Sequence, residues 1–229
     1  IVTIYVTTNK DSQEINYYDS ETTLREALQI TQLIDDSSKR FQIEFREPGS
    51  SDAQIIPNQE GLPPWTIYLD SPLPSIQKNN IEVNFSNTQN VVLTPRINGG
   101  KVAEIRDLNS QQNHPESDHS SSILTVGDPN FYLCEGDCAD QSDSPSAPNL
   151  KLNRINFIRN VAKGGSGLHG GGGGLGAGGG ITLLGGKLEI SDSLFQGLKA
   201  KGGKSDNKNS GGDGGFIIPH RFSNAYVKE

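Results

Sequence analysis

Two stretches of this chain repeat each other at a fixed distance. Leu150-Lys-Leu152-Asn-Arg154-Ile155-Asn-Phe157 runs on to Ala162-Lys163-Gly164-Gly165, and Leu188-Glu-Ile190-Ser-Asp192-Ser-Leu194-Phe195 runs on to Ala200-Lys201-Gly202-Gly203. The two phenylalanines give the offset (195 − 157 = 38). Each copy opens with apolar residues at every second position, the pattern of a strand with one buried face. Each then leads through glycine to another apolar strand, Ile181-Thr-Leu-Leu184 and Phe216-Ile-Ile218. Repeats of this length mark solenoids, in which a unit buries its apolar face only against its neighbours. The expected fold is therefore all-β, a parallel β-helix over residues 1–229.

Between the copies lies Gly164 to Gly180, with twelve glycines in seventeen positions. Glycine loses more backbone entropy on folding than any other residue, so such a run is either a tether or a place where no Cβ fits. Its position inside the repeat favours a connector packed backbone-to-backbone against neighbouring coils, with Leu168, Leu175 and Ala177 available to pack. Only 32% of the residues are hydrophobic and the mean hydropathy is −0.52, too little apolar material for a wide globular core but enough for a thin column.

Upstream, short β-prone segments alternate with turn residues: Ile1 to Thr8, Phe41 to Phe45, Trp65 to Leu69, Ile81 to Phe85, Val91 to Thr94, Val102 to Ile105 and Ser122 to Val126. A single helix is expected from about Glu21 to Leu33, with Asp19-Ser20 as its cap and Leu24, Ala27, Leu28 and Leu33 as its apolar stripe. Residues 1–48 would form an N-terminal strand and helix. Residues 49–229 would form the coils, interrupted by polar insertions at 109–121 and 135–148.

The segment Thr22-Thr23-Leu24-Arg25-Glu26-Ala27 resembles the Cys-Ser-Leu-Arg-Glu-Ala signature near the mature N-terminus of secreted bacterial right-handed parallel β-helix proteins, with Thr in place of Cys and of Ser. Trp65-Thr-Ile-Tyr-Leu-Asp-Ser-Pro-Leu-Pro-Ser-Ile76 is similar to the coil that follows the signature in that family. The resemblance implies a right-handed β-helix whose open end is covered by a helix. Leu24, Ala27 and Leu28 would close the apolar column, and Arg25 and Glu26 would pair with polar groups at the rim. A cap makes physical sense, because an uncovered sheet end invites edge-to-edge aggregation.

The net charge of −7 and the lack of a basic stripe in the sequence argue against a nucleic-acid partner. No run approaches the roughly 18 apolar residues of a membrane span. The chain starts at Ile1 and contains no methionine, as a processed exported protein would, and as a trimmed fragment also would. Cys134 and Cys138 bracket a polar loop and read most simply as a disulfide of an oxidising compartment, with a metal pair as the alternative. These features place the chain outside the cell or on its surface.

Candidate chemistry is sparse. His114, Glu116, Asp118 and His119 offer four donors for zinc or copper within a solvated polar loop. Asp206, Asn209 and Asp213, and separately Glu135, Asp137, Asp140 and Asp143, offer oxygen donors for calcium. Trp65, Tyr68 and Tyr132 would line a sugar-binding groove. Arg154 and Asp192 share one position of the repeat (192 − 154 = 38) and would stack on the outer face as an ion pair or part of a sugar-binding strip. No second carboxylate recurs at that offset, so the paired acids of a glycosidase are missing. The expected function is a non-enzymatic surface or structural protein, adhesin-like, with further copies of itself or other surface components as partners. The alternative is a protein that binds or cleaves polysaccharide.

Overall fold

The structure, a computed structural model, describes residues 1–12, 16, 19–34, 39–47, 50, 51, 53, 55, 65–77, 80–84, 90–95, 122–127, 148–164, 178–202, 217–219 and 223–228, the last two segments as backbone alone. In chain order these residues form β1 (Val2–Val6), α1 (Leu24–Leu33), β2 (Arg40–Phe45), β3 (Thr66–Leu69), β4 (Asn80–Asn84), β5 (Val91–Pro95) and β6 (Leu124–Val126). There follow β7 (Asn149–Asn153), β8 (Ile155–Ile158), β9 (Val161–Lys163), β10 (Ile181–Leu183), β11 (Gly186–Ser191), β12 (Phe195–Gln196), β13 (Lys199–Lys201), β14 (Ile217–Pro219) and β15 (Ser223–Lys228). The chain is strand-rich with one short helix, and every strand pair among the described residues is parallel.

Four sheets result, ordered β1-β2-β4-β7-β11-β15, β12-β8-β5-β3, β14-β10-β6 and β13-β9, here sheets 1 to 4. From β7 onward the path runs sheet 1, 2, 4, 3 and then repeats in the same order, ending on β15 in sheet 1. The first and last strands of the chain thus belong to one sheet. In its register, Val2, Phe41, Ile81, Leu150, Leu188 and Ala225 share one row, and Ile4, Ile43, Val83, Leu152, Ile190 and Val227 another. Phe41, Ile43, Ile81, Val83, Leu150, Leu152, Leu188 and Ile190 are all buried. Sheet 2 supplies the facing row Ile67, Leu93, Phe157 and Phe195, in which the rings of Phe157 and Phe195 stack at 5.0 Å.

The rows give the spacing of the earlier rounds. Successive steps are 39 (41 − 2), 40 (81 − 41), 69 (150 − 81), 38 (188 − 150) and 37 (225 − 188). Four of the five steps lie between 37 and 40, and the long step contains both polar insertions read from the sequence.

The corners from sheet 1 to sheet 2 each begin with a residue in the left-handed region: Arg154 (φ 61) between β7 and β8, and Asp192 (φ 50), first of the three residues between β11 and β12, at equivalent positions. Arg159 (φ 55) and Gly197 (φ 65) form the next equivalent pair (197 − 159 = 38). A residue with a Cβ other than Asn or Asp costs roughly 1–2 kcal/mol in this conformation, so the corners at Arg154 and Arg159 hold strain that the sheets on either side must overcome.

The helix begins later than the sequence pattern implied. Its N-cap is Thr23, not Asp19-Ser20: Thr23 Oγ1 accepts from the Glu26 amide (3.1 Å) and Glu26 Oε2 accepts from the Thr23 amide (2.8 Å). This is a reciprocal capping box. The residues ahead of it are held extended, because Thr7 and Thr22 bond each other through Thr7 N–H to Thr22 O (2.9 Å) and Thr22 N–H to Thr7 Oγ1 (2.8 Å). The apolar strand expected at Phe216 to Ile218 is β14, and β15 is a further strand that the sequence reading did not mark.

Gly164 and Gly178 to Gly180 are the described members of the glycine run, and all four are buried. A Cβ on Gly179 would lie 2.7 Å from Lys199 O and 2.8 Å from Lys199 N. Backbone from the next round occupies the space a side chain would need.

Candidate functional site

The signature-like segment assembles a polar clamp around the start of α1. Asp11 and Arg25 form a two-pronged pair, with Arg25 Nε on Oδ1 and Nη2 on Oδ2, both at 2.8 Å. Their side chains are 1% and 7% exposed. Arg25 also donates to Ser71 O (2.9 Å) and Pro72 O (2.8 Å), and Asp11 Oδ2 accepts from the Asp70 amide (2.9 Å). One guanidinium thus ties the loop after β1, the helix and the turn after β3. Glu26 uses its second oxygen to accept from the Asn16 amide (3.0 Å). Leu24, Ala27 and Leu28 are buried in the main apolar cluster. This arrangement fixes structure, tying three segments of the chain together.

The outward rows of sheet 1 are polar. Glu82, Lys151 and Glu189 stand in register, and Lys151 Nζ lies 2.8 Å from Glu189 Oε2. Lys187 bonds the other oxygen of Glu189. The hydrogen bond from Lys151, reinforced by that from Lys187, lowers the pKa of Glu189 from 4.5 to about 2. In the adjacent row Asn153 donates to Asn84 (2.8 Å) and Ser191 donates to Asn153 (3.1 Å). Arg154 and Asp192 occupy equivalent corners beside these rows. The Arg154 amide donates to Ser191 O (3.1 Å), and its carbonyl accepts from the Val91 amide (3.0 Å).

Trp65 does not offer a sugar platform. It is fully buried, its ring meets Phe45 edge-on at 5.0 Å, and its Nε1–H donates to Arg46 O (3.1 Å). An indole needs an internal acceptor when buried, and Arg46 provides it. Tyr68 is half-buried on β3. Tyr132, Cys134, Cys138, the His114 to His119 cluster, Glu135, Asp137, Asp140, Asp143, and the calcium candidates Asp206, Asn209 and Asp213 lie outside the described residues. Among the described residues no group of three or more His, Cys, Asp or Glu is placed to hold a metal, and no helix is long and apolar enough to cross a membrane.

Sequence reasoning missed Asp11, because nothing in a polar loop fourteen positions away marks it as the partner of Arg25. It also missed Asn160, fully buried, which donates to Gly179 O (2.6 Å) and accepts from the Lys199 amide (2.8 Å). An Asn ahead of an Ala-Lys-Gly-Gly connector was the available signal. No protein family, no curated protein and no solved structure matches this chain.

Proposed function

We propose that the chain is a right-handed parallel β-helix closed at its N-terminal end by α1, and that it serves as a non-enzymatic extracellular surface or structural module of the adhesin-like kind. The observation that carries this reading is the register of sheet 1, in which four of the five neighbouring strand pairs lie 37 to 40 residues apart and the rows stay in phase across the fifth. A chain that repeats its path through the same sheets has the logic of a solenoid. The buried Asp11–Arg25 clamp and the Glu189 and Asn153 pairings across sheet 1 serve rigidity, which supports a scaffold over a catalyst. The similarity of Thr22 to Ala27 to the secreted β-helix signature supports export and a bacterial origin. Other copies of the chain or surface components are its partners.

Three measurements test this. Spin labels at Thr3 and Glu189, four strand spacings apart on one outward row of sheet 1, should lie about 19 Å apart at about 4.8 Å per strand; a separation that does not fit stacked parallel strands refutes the β-helix. Incubation with neutral and acidic polysaccharides, with and without calcium, should release no new reducing ends. Cleavage refutes the non-enzymatic reading, and failure of intact source cells to expose the protein to a membrane-impermeant label refutes the surface assignment.

A further inference from the structure

Among the described residues, β1 has a strand on one side only, β2. Val6 O accepts from the Arg46 amide on that side, whereas the next residue, Thr7, donates its amide to Thr22 O (both 2.9 Å). Backbone groups point alternately to either side of a strand, so Thr3 and Tyr5 aim theirs away from β2, as Thr7 does. Such an open row invites another strand, and edge strands are usually blunted by charge or proline. Sheet 1 reverses that rule. Its described strands β2, β4, β7, β11 and β15 each hold a charged residue, and β1 holds none. Neither charge nor proline occurs from Ile1 to Thr8. Val2 and Ile4 face the column but are only half-buried, while their neighbours in register, Phe41 and Ile43, are fully buried. Tyr5 is exposed on β1, and so is Leu33 on α1, although its spacing placed it in the apolar stripe.

We propose that β1 is a self-association edge, which pairs antiparallel with β1 of a second copy about a two-fold axis between their Ile4 residues. Thr3 of one copy then stands opposite Tyr5 of the other, and the two exchange both N–H···O bonds; symmetry repeats the exchange. On the inward face Val2 meets Val6 and Ile4 meets Ile4, apolar on apolar. On the outward face Thr3 meets Tyr5, a β-branched residue against an aromatic one, which stabilises a sheet. No like charges are brought together. A two-fold interface must be complementary to itself, and an uncharged strand with this alternation meets that demand. Pairing β1 with β15 of another copy would instead stack column on column across the end that Leu24, Ala27 and Leu28 of α1 cover, and would grow without closing. The inference rests on the reading of other copies as partners and names the edge where they meet.

The test uses the full chain. Sedimentation equilibrium should show monomer passing to dimer as concentration rises, with no larger species. A spin label at Glu82, level with Thr3 and two strands further in, should lie about 25 Å from its counterpart, five strand spacings across and two residues along. Thr3→Lys sets a cation opposite the Tyr5 ring of the other copy, over which Arg46 already lies at 3.7 Å, and should weaken association about tenfold. Thr3→Pro removes one outward-facing donor and should weaken it too. Thr3 is exposed, so both variants should keep the parent's Trp65 fluorescence. Glu82→Gln, away from the edge, should associate within about twofold of the parent. A monomer at every concentration, open-ended growth, a label separation that does not fit antiparallel β1 strands, or unchanged association in both folded Thr3 variants overturns the proposal. Those outcomes leave the scaffold reading intact, whereas polysaccharide cleavage, or a Thr3–Glu189 separation within one chain that fits no stack of strands, strikes that reading.

Discussion

Removing Asp11 should expose how far the fold depends on one buried ion pair. The two side chains are 1% and 7% exposed and meet through two 2.8 Å hydrogen bonds. With charge centres about 4 Å apart and an effective dielectric near 20, their attraction is about 4 kcal/mol. Asp11→Ala leaves the Arg25 guanidinium enclosed without its counter-charge, a change that typically costs about 3–5 kcal/mol. The Asp70 amide loses its acceptor too, but that bond is exposed and water replaces it cheaply. The bonds from Arg25 to Ser71 O and Pro72 O remain and hold the cost toward the lower figure, about 3 kcal/mol. Arg25→Met should cost a similar amount, because it strands the carboxylate. The double variant should cost much less than the sum of the two, since neither charge is left alone. Urea denaturation followed by the fluorescence of Trp65, the one tryptophan and fully buried, reads each step, provided the slope with urea stays constant. A loss below about 1 kcal/mol for Asp11→Ala, or strict additivity in the double variant, would refute the reasoning.

Two further substitutions test other parts of the fold. Gly179→Ala puts a Cβ 2.7 Å from the Lys199 carbonyl oxygen and should cost about 1–3 kcal/mol by overpacking. Gly185→Ala, where nothing lies within 4 Å, should stay within about 0.5 kcal/mol; thermal melts compare them, and equal losses would sink the close-packing account. Glu189 has its pKa lowered from 4.5 to about 2 by Lys151 and Lys187. Its stabilisation is therefore complete above 4.5 and lost as pH falls toward 2. The pair is solvent-exposed, so Glu189→Gln should cost under about 1 kcal/mol at neutral pH and nothing near the acid end of that window. A loss of equal size at both pH values would remove the ion pair as its cause.

The sequence was most legible where two rounds of the period kept similar side chains. Leu150 with Leu188, Leu152 with Ile190 and Phe157 with Phe195 could be matched by inspection, and the register pairs each of them. The earlier rounds obey nearly the same spacing but were hidden, because Val2, Phe41 and Ile81 share only apolar character and their connections are unrelated. Burial of an alternate position demands hydrophobicity and volume, not identity. The helix boundary was misplaced because Asp19-Ser20 and Thr23 are all good caps in isolation. Pairing of Thr22 with Thr7, a contact fifteen residues apart, settled it. Trp65 misled for a related reason: an aromatic beside a turn reads equally as a ligand platform or as core, and its burial, its contact with Phe45 and its bond to Arg46 O separate the two.

The uneven steps along sheet 1 carry a consequence for how such a chain can vary. Four of the five steps stay between 37 and 40 residues, while one reaches 69, and the rows remain in phase across all of them. Length added between strands leaves that phase untouched. A single residue lost inside β7 would instead turn Leu150 and Leu152 outward and carry Lys151 into the column, because side chains alternate with a period of two. Heritable change is thus divided sharply by position. Connections can grow by whole loops and acquire new surface chemistry, while the rungs tolerate substitution but not a change of count.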